Sequence, residues 1–298
     1  MATGKADGRA IAALVVLTLL WGYTWIIAKQ ALDYAGPFHV GVLRTGTATV
    51  VLFLALLALR RPLRPRAVWK TAVVGLFQTG GFIAFSTWAL VEGGAGKTAV
   101  LVFTMPIWTL LLARAVLGER IRASQWAAAA CALAGLLLIV SPWNMHTSLF
   151  SKLLAVLAAV SWALSTILVK RWRKELGADV LALTTWQMLF GLLPLIVIVT
   201  AAPERPTDWT PQFAGIIGFM AVVSTAFGWF LWLYVLERLP AWQASLSILG
   251  IPGVAILSSR WQLGERADQG EVLGMLLIGA GLVTISVLNW RSQRRMAR

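Results

Sequence analysis

The sequence predicts an all-α integral membrane protein, with ten transmembrane helices in two inverted five-helix repeats. Three observations predict it. Hydrophobic residues make up 59% of the chain and charged residues only 13%, whereas soluble globular chains carry about 25% charged residues. The apolar residues are gathered into runs long enough to cross a hydrocarbon layer of about 30 Å as helices. Finally, one segment occurs twice. Pro106 to Arg120 reads PIWTLLLARAVLGER and Pro252 to Arg266 reads PGVAILSSRWQLGER. Pro, Arg, Leu, Gly, Glu and Arg fall at the same offsets, and Gly135 and Gly281 follow at the same spacing.

The runs cover about 10–31, 37–59, 67–91, 96–117, 123–142, 149–170, 178–201, 210–236, 241–262 and 270–290. Hydrocarbon satisfies no backbone polar group, so each run is expected to be a helix. They are too long and too uniform for barrel strands, which would alternate. Span 1 follows Lys5 and Arg9 in the manner of a signal peptide, but no small-residue cleavage site leads into a soluble domain, and it reads as an uncleaved span. Span 2 opens at Pro37 and carries Arg44 about two turns in. In span 3, Gln78, Phe82, Phe85, Ser86 and Ala89 share a helical face, and span 4 has a milder stripe of Thr98, Val102, Met105 and Thr109. Pro106 in span 4 and Pro252 in span 9 each remove a helical hydrogen bond and favour a kink. Spans 5 and 10 carry small residues at four-residue spacing (Ala127, Cys131 and Gly135; Gly270 and Gly274), which permit close helix approach. Span 6 presents Trp162, Ser165 and Thr166, span 7 Thr184 and Gln187, and span 8 Phe227, Phe230, Leu231 and Tyr234.

Basic residues orient the chain. Lys5 and Arg9, Arg60 to Lys70, Arg120 and Arg122, Lys170 to Lys174, Arg238 and Arg291 to Arg298 all fall on one side. The other side has Lys29, Lys97, Lys152, Arg205 and Arg266. The positive-inside rule therefore puts both termini in the cytoplasm. The halves divide at residues 1–147 and 148–298, and five spans per half means that the second is inserted upside down. Their beginnings match too: Trp21-x-x-Thr24-x-Ile26-Ile27-Ala28-Lys29 parallels Trp162-x-x-Ser165-x-Ile167-Leu168-Val169-Lys170. Inverted repeats are a common route to alternating access, with substrate at the seam.

Several classes drop out. The net charge of +14 would suggest nucleic acid in a soluble chain, but here the basic residues lie in short loops and set topology, so no nucleic-acid partner is expected. With Cys131 as the only cysteine, neither an intramolecular disulfide nor a cysteine metal cluster can form. No metal-ligand spacing such as HExxH, no convergence of Ser, His and acid, and no filter-like loop is visible, so neither an enzyme, a cofactor nor a channel is expected.

Trp21-Gly22 in span 1, Pro37 with Arg44 in span 2, Pro106 with Leu117-Gly118-Glu119-Arg120 in span 4, and the duplication itself form a recognisable set. Together they resemble the drug/metabolite transporter superfamily in its ten-span form with two EamA-type halves, over nearly the whole chain. The chain looks most like the YddG-type exporters of aromatic and other amino acids, a group that also handles cations such as methyl viologen. The resemblance implies export across the inner membrane. The second half departs from the pattern: Leu183 to Gln187 holds no counterpart of Arg44.

The expected substrate residues are Trp21, Thr24, Arg44, Gln78, Phe82, Phe85, Ser86, Thr98, Trp162, Ser165, Gln187, Phe230 and Tyr234, with Pro106 and Pro252 as paired hinges. Rings with sparse polar groups suit a mostly apolar solute with a polar head. An amide in hydrocarbon needs a partner or water, which points Gln78 and Gln187 at a cavity. The rings are open to a second role, facing lipid or packing between helices. Arg44 is suited to gripping a carboxylate bidentately, or to holding carbonyls at broken helix ends. The prolines are hinges or static kinks. No acidic residue lies mid-span, so proton coupling has no evident carrier. The expected solutes are amino acids, with toxic organic cations as the alternative. The expected state is a monomer or a weak homodimer.

Overall fold

The computed structural model describes residues 8–118, 123–140, 148–177, 179–229, 231–232, 235 and 250–296. These form helices α1 (Gly8–Ala31), α2 (Pro37–Ala58), α3 (Val68–Glu92), α4 (Ala95–Leu117), α5 (Ala123–Val140), α6 (Leu149–Arg171), α7 (Val180–Ala201), α8 (Pro211–Phe227), α9 (Gly250–Gln262) and α10 (Gln269–Met296). A single helical turn, Arg173–Leu176, links α6 to α7. No strand occurs among the described residues. Six helices, α1 to α4, α6 and α7, are long and apolar enough to cross a membrane, and α5 and α8 hold shorter apolar stretches.

Local chemistry sets the helix starts. Ser148, Asp179 and Thr210 each accept a backbone N–H three residues on, from Ser151, Ala182 and Phe213, which satisfies a donor the helix leaves free. Before α10, Asp268 Oδ1 accepts Glu271 N–H at 2.8 Å while Glu271 Oε2 accepts Asp268 N–H at 3.0 Å, a reciprocal capping box. Helices α2 and α4 are capped from far away in sequence. Glu204 accepts N–H bonds from Phe38 and His39, both at 2.9 Å, and Glu265 accepts them from Ala95 at 2.6 Å and Gly96 at 3.2 Å. A carboxylate at a helix N-terminus also meets the positive end of the helix dipole.

Three helices are irregular. In α3 the turns over Leu76–Gly81 widen into a π-helix, and in α8 those over Phe219–Phe227 do the same. Each widening follows an eight-residue α-helical start, Val68–Gly75 and Pro211–Gly218. Helix α4 is discontinuous: Ala95–Val102 ends at Phe103 and Thr104, and Met105–Leu117 begins anew. Pro106 therefore sits in the first turn of a helix, where its missing N–H costs nothing, and not at a mid-helix kink. Pro252 lies two residues into the described part of α9.

The two halves of the sequence interleave in space. The extensive contacts are α5 with α10, α3 with α6 and α7, α2 with α7 and α8, α1 with α9, and α4 with α6 and α9. Most come in exchanged pairs: α1 packs on α9 as α6 packs on α4, and α2 packs on α8 as α7 packs on α3. Glycines allow the closest crossings. A Cβ on Gly75 of α3 would strike the backbone of Gln187 and Gly191 in α7, and one on Gly135 of α5 would strike that of Gly274 and Ile278 in α10. The contact face of α5 runs through Ala128, Ala132, Gly135 and Ile139, one position away from the stripe that the small-residue spacing picks out. Ala127 is exposed, while Cys131 still reaches α10, its Sγ 3.6 Å from the Leu277 carbonyl.

Candidate functional site

The interleaved helices enclose a cavity of about 760 Å³ with walls from both halves of the chain. Helix α1 contributes Trp21, Thr24, Trp25 and Ala28, and α2 contributes Arg44, Thr45 and Ala48. The widened turns supply polar groups: Gln78 and Thr79 from α3, Ser224 and Thr225 from α8. A π-helical turn leaves carbonyls without regular partners, and such turns recur at functional sites. Here side chains take them up. Ser161 Oγ donates to the Phe77 carbonyl at 2.7 Å, Thr225 Oγ1 to that of Met220 at 2.8 Å, and Trp21 Nε1 to that of Ser224 at 2.9 Å. Thr24 and Ser224 hydroxyls meet at 2.7 Å across the α1–α8 seam.

Aromatic rings make up much of the remaining wall. Phe82 and Phe103 stand edge-on to Trp162, centroids 5.3 and 5.9 Å away, and Trp21 meets Trp229 and Trp232 at 6.1 and 6.3 Å. Against this apolar background Arg44 stands out, because among the described residues its guanidinium has no hydrogen bond or ion pair. Gln78 and Gln187 likewise have no protein hydrogen bond among the described residues, although Gln187 is only 3% exposed. Both amides line the cavity.

One end of the cavity carries Lys170 of α6 and Gln125 of α5. Beyond Ala28 and Leu90, at the other end, polar contacts tie the walls together. Lys29 Nζ donates to the carbonyls of Leu90, Val91 and Gly93 at 2.5, 3.1 and 3.2 Å. Glu265 caps α4, and Tyr23 Oη donates to Gln262 Oε1 at 3.0 Å. At the start of α2, His39 Nδ1 lies 2.6 Å from Glu204.

Of the residues expected from sequence, Trp21, Thr24, Arg44, Gln78, Phe82, Ser86, Trp162, Gln187 and Pro106 line this cavity. Three do not. Phe85 packs into the cluster shared by α3, α4 and α6, because the cavity face of α3 runs through Phe82, Ile83, Ser86, Thr87 and Leu90. Ser165 is fully buried and donates to the Trp162 carbonyl, leaving its neighbour Thr166 on the cavity side. Thr98 precedes the break in α4 and lines a separate pocket of about 210 Å³ with Lys97, Ser151 and Lys152. Pro252 is not on the cavity wall. Phe230 and Tyr234 lie outside the described residues. Sequence reasoning missed Thr45, Thr79, Thr87 and Ser224 as wall residues. Single hydroxyls in apolar runs carry no periodic signal, since they also bond to the preceding turn of their own helix.

Known proteins share this layout. The EamA-like transporter family matches residues 8–141 and again 149–287. The uncharacterized transporter YoaV of Bacillus subtilis (strain 168) is 28% identical, over 92% of this chain and 95% of its own. A probable amino-acid metabolite efflux pump of Salmonella typhimurium is also 28% identical, over 97% of each chain. A probable terminal-alkyne amino-acid exporter of Streptantibioticus cattleyicolor is 26% identical over 93% of each. A crystal structure described only as that of a protein shares the fold, with a TM-score of 0.64 at 18% identity over 95% of this chain and 98% of that one.

Proposed function

This chain belongs to the EamA-like transporter family, and from that premise we propose that it exports amino acids, aromatic and other neutral ones, and related small metabolites across the inner membrane. Transport runs by alternating access through the central aromatic cavity. The observation that carries the substrate class is Arg44. A guanidinium without a protein partner, set in a wall of indole and phenyl rings, is matched to a solute with one carboxylate and an apolar body. The printed names of the Salmonella and Streptantibioticus relatives support amino acids as cargo.

In this reading the chain crosses the membrane ten times, both termini are cytoplasmic, and residues 1–147 and 148–298 are repeats related by a two-fold axis in the membrane plane. The exchanged helix contacts and the paired π-helical segments support that relation. The end holding Lys170 then faces the cytoplasm, and the end tied by Lys29 and Glu265 faces outward. Trp21, Thr24, Gln78, Phe82, Ser86, Trp162 and Gln187 contact the solute beside Arg44. The break in α4 ahead of Pro106 acts as a hinge.

The test is flux of labelled phenylalanine and threonine into proteoliposomes holding the purified chain, with and without a proton gradient. Saturable flux with counterflow, indifferent to the gradient, is the expected result. Non-saturable flux, or none, overturns the carrier reading.

A further inference from the structure

Resting on the exporter reading, we infer that the cavity selects aromatic carboxylates whose amine is acylated or absent over free zwitterionic amino acids, and excludes organic cations. The inference rests on the inventory of charge in the wall. Arg44 and Lys170 line the cavity, and none of the described lining residues is Asp or Glu. The chain has 12 acidic residues in all. Those near the membrane faces are engaged elsewhere: Glu204 and Glu265 cap α2 and α4, Glu271 pairs with Lys97 at 2.6 Å, and Glu92 bonds to Ser148. Asp7, Glu119 and Glu237 lie outside the described residues, and the sequence puts them ahead of α1 or at span ends.

The consequence is asymmetric. A carboxylate entering this space meets the donors of Arg44 in a planar fork. The ammonium of a zwitterion is desolvated beside two fixed positive charges and finds only neutral acceptors, the amide oxygens of Gln78 and Gln187 and the hydroxyls of Thr45, Thr79 and Thr87. Indole faces attract cations, but no carboxylate is there to offset the repulsion. Acylating the amine removes the mismatched charge and replaces it with an amide, for which Gln78 and Gln187 offer matching donors and acceptors. The aromatic body lies against Trp162, Phe82 and Trp21.

The experiment uses the purified full chain and four radiolabelled probes of similar bulk: N-acetylphenylalanine, 3-phenylpropionate, phenylalanine and phenethylamine. Equilibrium binding in detergent and flux in liposomes are both read at neutral pH. N-acetylphenylalanine and 3-phenylpropionate are expected to bind at least tenfold tighter than phenylalanine, and phenethylamine not to compete. Arg44→Gln should erase the anion preference, and Arg44→Lys should restore part of it. Lys170→Gln, at the cavity mouth, should weaken the anions several-fold and serves if the Arg44 variants fail to fold. Phenylalanine binding as tightly as its acetyl derivative, or phenethylamine competing, overturns the inference. The expected binding order without flux leaves the inference standing and overturns export, whereas saturable flux that prefers free phenylalanine does the reverse. Binding of none of the four overturns both.

Discussion

The indole of Trp21 shows how one side chain serves two links of the chain from sequence to function. Its ring faces the cavity, while its N–H closes a carbonyl that the π-helical turn of α8 leaves free. Trp21→Phe keeps the ring and orphans the Ser224 carbonyl, with an expected loss of about 1 kcal/mol, seen as a lower Tm in detergent with substrate binding largely kept. Ser161 has the same task toward Phe77 in α3. Ser161→Ala should cost about 1–3 kcal/mol, because the carbonyl is held away from water. A smaller effect would mean that a water molecule replaces the hydroxyl.

Among the elements, the crossing of α3 on α7 is the least tolerant. Gly75 and Gly191 lie where any Cβ would meet the facing backbone, which cannot retreat as a flexible side chain would. Gly191→Leu should abolish folding, read as aggregation on size exclusion, whereas the same change at Gly215, with nothing near its Cβ position, should leave the elution profile intact. Helix α4 makes a subtler prediction. Thr104 receives the Trp108 indole N–H at 3.1 Å and donates to the Leu101 carbonyl at 2.6 Å, so the break is held by side chains as well as by Pro106. Pro106→Ala should leave solute affinity within about twofold and slow counterflow several-fold, since a continuous helix across Phe103 becomes accessible. Unchanged rates would remove the hinge from the mechanism.

At the scale of the whole molecule, the tie between the walls at the Lys29 end joins the first half of the sequence to the second, through Glu265 on α4 and Tyr23 on Gln262. Each charge-assisted bond is worth about 1.5–3 kcal/mol, and an opening of that face must break them together. Glu265→Ala is therefore expected to raise the labelling rate of a cysteine placed at Leu90 by about tenfold from that face. An unchanged rate would show that the closure is steric.

The existence and order of the helices were legible in the sequence, because apolar runs bounded by loops leave hydrocarbon only one backbone solution. So was the pairing of the prolines and of the two LGER motifs, since a duplicated gene keeps its landmarks. Arg44 and the two glutamines were legible as cavity candidates, for a polar group in an apolar run demands a reason. Tertiary structure alone decided the rest. Periodicity assumes 3.6 residues per turn, and the π-helical segments in α3 and α8 and the break in α4 shift that phase, so Phe85 and Thr98 turn away while Thr79 and Ser224 turn in. The distant carboxylates that cap α2 and α4 carry no local signal, because a cap supplied from another part of the chain is a property of packing. The charge balance of the cavity belongs to the same class, since it depends on which side chains the interleaved helices bring to one wall.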